Sequence, residues 1–128
     1  MPDAYMIEQI NKAIYTHGFW KQKLRAAIIN GSQELTPEIA ENVTMCEFGA
    51  WLDGPMIPDE ARATSSFELV RRLHSEFHAC ASQVLARGRD INASEAHILL
   101  AGECNDRSQV LITALTKWKT ELTEMSAA

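Results

Sequence analysis

The stretch that most constrains this chain is Phe67 to Ser82, FELVRRLHSEFHACAS, where His74 and His78 stand four residues apart inside a helix-periodic apolar pattern. Residues i and i+4 of an α-helix share a face, with Cβ atoms about 5–6 Å apart. Two imidazoles so placed can meet on one metal ion at about 2.0–2.1 Å each. The apolar stripe consists of Val70, Phe77, Ala81 and Val84, flanked by Leu73 and Leu85, and His74 continues it. His74 is therefore expected to point inward, with His78 one position to the side of the stripe. Two histidines hold a metal incompletely, since zinc takes four protein ligands in structural sites and three plus water in catalytic ones. The other donors must come from elsewhere in the chain.

The remaining pattern is also helical. From about Tyr5 to Ile29, the residues Ile7, Ile10, Ile14, His17, Leu24 and Ile28 recur at spacings suited to one amphipathic helix with His17 on its inner face. Asn30-Gly31-Ser32 ends it, Gly31 being suited to a left-handed cap. Thr36-Pro37 reads as a cap followed by proline at the first helical position, starting a short helix or turn to about Glu41. In NVTMCEFGAWLDGP, Thr44 and Glu47 have capping-box spacing, which puts Cys46 in the first turn of a short helix closed by Asp53-Gly54-Pro55. The positive end of the helix dipole favours a thiolate there. Ser65 with Glu68 opens the long histidine helix, which stops at Gly88, and Asn92 with Glu95 opens the last one. Ala101, Cys104, Ser108, Leu111, Leu115, Trp118, Leu122 and Met125 then recur at heptad spacing, predicting one uninterrupted helix to the end of the chain. The expected fold is all-α: an antiparallel four-helix-type bundle with a short extra helix carrying the cysteine, in a single domain over residues 1–128.

Composition excludes several functions. The net charge is −5 without a basic cluster, so nucleic acid is not an expected partner. The longest apolar runs, Ala26 to Ile29 and Ile98 to Ala101, are too short for membrane insertion. MPDAYMIEQINK has no basic segment followed by an apolar block, and a cytoplasmic location is expected. The three cysteines are odd in number and widely spaced, so no disulfide framework is expected, and Cys80 and Cys104 read as packing residues. His97 has no motif around it and reads as exposed.

His17, Cys46, His74 and His78 together supply three nitrogens and one sulfur from three segments, a donor set suited to a closed tetrahedral zinc site. A hydrolytic zinc centre would need an open position and a general base, and no HExxH is present. The chain is therefore not expected to be an enzyme. A haemerythrin-like di-iron or oxygen-binding bundle is the alternative, but such centres use paired carboxylates, of which the inner stripes hold almost none. A metal-free dimerisation module is a third reading.

The segments HGFWKQKL (His17 to Leu24), CEFGAWL (Cys46 to Leu52) and HSEFH (His74 to His78) resemble, in order and approximate spacing, the chemoreceptor zinc-binding (CZB) domain family, whose pattern is HxxWKxxL, CxFGxWL and HxxxH. The resemblance implies a bacterial cytoplasmic sensor domain that binds one zinc ion through His17, Cys46, His74 and His78, often as a homodimer. It also implies a chemoreceptor or diguanylate cyclase as signalling partner, to which zinc or oxidant status is relayed. Gly49 and Trp51 match the family's glycine and tryptophan. Ala50 stands where some members carry a basic residue, a departure that bears on partner contacts more than on zinc ligation.

Overall fold

The structure, a computed structural model, describes residues 2–30, 36–42, 46–88 and 94–127. Its organising element is α6 (Ser65–Gly88), which buries Phe67, Val70, His74, Phe77, Ala81 and Val84 at spacings of three and four, one continuous inner face. The cap is Thr64 and not the expected Ser65. Thr64 Oγ1 accepts from Phe67 N at 3.3 Å and donates to Ala61 O at 2.7 Å. Thr64→Ala removes this side-chain acceptor from an otherwise exposed helix start, and we expect a loss of about 1 kcal/mol in urea unfolding. An unchanged midpoint would assign the cap elsewhere. At the other end, a Cβ on Gly88 would stand 3.0 Å from Ile28 Cγ1, so glycine there permits close approach to α2.

The other elements are α1 (Pro2–Gly18), α2 (Trp20–Asn30), α3 (Pro37–Glu41), α4 (Glu47–Asp53), α5 (Asp59–Arg62), α7 (Ser94–Leu99), a π-helical segment (Leu100–Cys104) and α8 (Asn105–Ala127). No strand occurs among the described residues, and none of the helices is long and apolar enough to cross a membrane. α8 packs along both α1 and α6. Its pairing with α6 is antiparallel: Ser66 meets Glu121, Glu76 meets Arg107, and Cys80 meets Cys104, so partner numbers fall as α6 advances. The core is apolar and continuous, with Met6, Ile10, Leu24, Leu111, Leu115 and Trp118 buried. Each such side chain contributes about 1.5–3 kcal/mol relative to exposure. An all-α bundle is what the periodicity predicts.

Three further expectations need correction. The first segment is not one helix: it breaks at Phe19, whose N–H donates back three residues to Thr16 O at 3.1 Å. A Cβ on Gly18 would meet nothing within 4 Å, so the glycine weakens the helix there by its backbone freedom and not by admitting a neighbour. The break lets α1 follow α8 while α2 follows α6. The last helix is also interrupted. The π segment inserts an extra residue per turn, which buries Leu100 and exposes Ala101, the residue that the heptad spacing places on the inner stripe.

The third correction concerns sulfur. Cys80 and Cys104 are joined as a disulfide, with Cα atoms 5.7 Å apart, rather than packing as separate side chains. They are 24 residues apart, and only the antiparallel α6–α8 arrangement brings them together. His97 is exposed as expected. Gly31, Thr44 and Asn92, and with them the expected caps, lie outside the described residues, as does the Met125 side chain.

Candidate metal centre

His17 occupies the last turn of α1, immediately before the break. Its Nδ1 donates to Ala13 O at 2.8 Å, and because a carbonyl only accepts, the proton is fixed on Nδ1. Nε2 then keeps its lone pair. That atom is buried without a hydrogen-bond partner. His78 repeats the arrangement, with Nδ1 donating to Ala40 O at 2.8 Å and Nε2 left as an acceptor. The acceptor carbonyl comes from α3, which Ser82 Oγ anchors to α6 by donating to Pro37 O at 2.8 Å. Thr36 caps α3 by accepting from Ile39 N at 3.2 Å, so the predicted start at Thr36-Pro37 is present.

His74 projects from the same face of α6, one turn before His78, and the two Nε2 atoms lie 3.0 Å apart. Tetrahedral zinc with bonds of 2.0–2.1 Å holds neighbouring nitrogens about 3.3 Å apart. Cys46 is the N-cap of α4 rather than a first-turn residue, and it is half-buried. Its side chain makes no capping hydrogen bond, which leaves the sulfur available. Phe48, Trp51 and Leu52 bury the inner side of α4. Arg62 holds its far end, donating to Leu52 O at 3.2 Å, Ile57 O at 3.3 Å and Gly54 O.

These four residues each offer a donor atom, and the donors all lie within 4.8 Å of one another. Among the described residues no carboxylate joins the group. The histidine rings contact each other edge-on, at 4.4 Å for His74–His78 and 5.0 Å for His17–His74, inside a collar formed by Trp20, Phe48 and Phe77. Each imidazole is only 1% exposed. Burial lowers the His17 pKa to about 4, with the Ala13 hydrogen bond opposing it and the charges of His78 and Lys23 adding to it. Burial likewise takes His74 to about 2, helped by His78 and His17, and lowers His78 against its Ala40 hydrogen bond. The rings are thus neutral at neutral pH, the form a metal requires.

The donor chemistry fits zinc. A buried lone pair without a partner on His17, two Nε2 atoms facing each other, and two Nδ1–H groups on backbone carbonyls are what metal-ligating histidines need from their surroundings. A cleft of about 310 Å³ opens beside His74, with Asp53, Arg71 and Glu76 among its walls. A second cavity of about 160 Å³ adjoins His17. Sequence reasoning named the four residues that converge here but not the Ala13 and Ala40 carbonyls that orient two of them. A backbone acceptor carries no residue-type signal.

Fold and site together define a helical bundle able to bind one metal ion among three histidines and a cysteine. The chain belongs to the chemoreceptor zinc-binding domain family, whose sequence model matches residues 17–85, more than half its length and a span that includes all four donors. Zinc is accordingly its metal. No curated protein and no solved structure matches the chain.

Proposed function

We propose that His17, Cys46, His74 and His78 bind one zinc ion in a closed tetrahedral site, and that the chain, a single domain over residues 1–128, is a sensory module and not an enzyme. It reports zinc availability, or oxidation of the Cys46 thiolate, to a chemotaxis or cyclic-di-GMP output, acting as a cytoplasmic homodimer. The observation that carries the reading is the convergence of four zinc-type donors from α1, the start of α4 and α6. When bound, zinc supplies a charge that holds α4 against α6 through the sulfur. The chain's own residues prepare this: α3 orients His78, Ala13 orients His17, and Arg62 fastens α4.

A sensor must survive losing its ligand. Structural zinc contributes roughly 10–16 kcal/mol in small fingers, which is as much as the whole stability of a typical domain, about 5–15 kcal/mol. Here α1, α6 and α8 share an apolar core that extends well beyond the donors, through Met6, Ile10, Val84, Leu111, Leu115 and Trp118. Metal analysis is expected to find one zinc per chain. Chelation is expected to leave the far-ultraviolet circular dichroism of the long helices and of α3 intact, releasing the Cys46 sulfur at the start of α4 while Phe48 stays packed over the histidines. Complete loss of helicity would instead make the metal purely structural. Cys46→Ser separates the two signals: an undiminished oxidant response in that variant excludes Cys46 as the sensing thiol.

A further inference from the structure

A groove of about 370 Å³ runs between α6 and α8 and is lined by residues of those two helices alone. Leu69 and Leu73, one turn apart, form its α6 wall, and Val110 and Ala114, one turn apart, form its α8 wall. The cross-helix contacts Ser66–Glu121 and Glu76–Arg107 bracket it at either end. Leu69 is 37% and Val110 50% exposed, so both apolar rows are open to solvent. Two antiparallel helices that each present a row of this kind leave a channel into which the side-chain ridge of a third helix fits.

We propose that this groove docks an acidic amphipathic helix of a partner protein, its apolar stripe filling the space between the two rows and its carboxylates meeting Arg72 and Lys117. The charges choose the partner. Arg72 on α6 and Lys117 on α8 line the groove, and no carboxylate does. Arg71 and Arg107, on the same two helices, are each held by carboxylates: Arg71 by Asp53 at 3.3 Å, and Arg107 by Glu76 at 3.2 Å and Glu103 at 3.1 Å. Arg72 and Lys117 have no ion-pair partner among the described residues, in a chain where 17 acidic side chains face 12 Lys and Arg. The two cations beside the apolar rows are thus left to an outside carboxylate.

The net charge of −5 repels such a helix from the rest of the surface, so the local pairing decides where it docks. A basic helix meets like charge at both walls. Burial of the apolar stripe supplies the attraction, and the rim charges supply the orientation and the choice of partner. The groove also lies on the helix that carries two of the metal donors: Leu73 lines it, and the next residue, His74, is buried on the inner face of α6. None of the groove's side chains belongs to the donor set, so the docking surface stands apart from the metal reading.

The test uses the full zinc-loaded chain and two fluorescein-labelled, hydrocarbon-stapled helical peptides. One carries leucines at i, i+4 and i+7 with glutamates on both flanks, and the other has lysine at every glutamate position. Fluorescence anisotropy is expected to show the glutamate peptide binding about tenfold or more tightly than the lysine peptide, by a margin that shrinks as salt is raised. Val110→Glu sets a carboxylate on the exposed wall and is expected to abolish binding of the glutamate peptide. Arg72→Glu combined with Lys117→Glu is expected to reverse the preference. All three positions are exposed, so the helical circular dichroism of these variants should match the parent's. Equal affinity for the two peptides, no binding of either, or binding that survives Val110→Glu would overturn the proposal. So would a dimer, seen by sedimentation, that Val110→Glu dissociates, since the groove would then belong to a second copy of the chain. Zinc content, measured on the same samples, reports separately on the metal reading.

Discussion

His74→Gln is expected to weaken zinc binding by about 100-fold or more while leaving the helical circular dichroism unchanged. Apparent zinc free energies of about 10–16 kcal/mol, shared over four donors, put each near 2.5–4 kcal/mol, or roughly two to three powers of ten in affinity. His74 is the central case because its ring touches both other imidazoles, at 5.0 Å to His17 and 4.4 Å to His78. Glutamine fills much of the ring's volume, so the loss reports on the donor atom rather than on a cavity. Competition against a chromophoric chelator measures it. His97→Gln, on the exposed face of α7, is the control and should change nothing. Wild-type zinc affinity in His74→Gln would remove His74 from the donor set and with it the proposed site.

How much of this was readable beforehand depended on distance along the chain. His74 and His78 were legible because i and i+4 on a helix always share a face, and HxxWKxxL and CxFGxWL are compact motifs that place His17 and Cys46 by resemblance. Helix existence followed from periodicity for the same local reason. The break at Phe19 was hidden because the apolar spacing runs straight through it. It reflects a change of packing partner from α8 to α6. The π segment was hidden likewise: Ala101 continues the heptad in sequence, but α7 buries Ala96 and the π segment buries Leu100 and Cys104, and one extra residue reconciles the two registers. The Cys80–Cys104 bond depends on the antiparallel register of two helices, which no spacing within either helix encodes.

The metal-free protein is expected to lose stability steeply on mild acidification. Burial holds the folded-state pKa of His17 at about 4 and of His74 at about 2, both below the ordinary 6.5 that the unfolded chain recovers. Between those values the unfolded chain binds protons that the folded chain refuses, so unfolding becomes easier as pH falls and stability is regained as it rises. Each histidine approaches a slope of about 1.4 kcal/mol per pH unit. From pH 6.5 to 5, His17 and His74 together remove about 3 kcal/mol, and His78, also lowered by burial, adds to the loss. Most carboxylates stay ionised across that window, so the histidines dominate it. Urea unfolding of chelator-treated protein at several pH values measures the slope. His74→Gln should flatten it by one histidine's share, about 1.6 kcal/mol over the same interval. Equal slopes in the two proteins would mean that His74 is not buried in the folded, metal-free state, and the arrangement of lone pairs that makes this a zinc site would have to be abandoned.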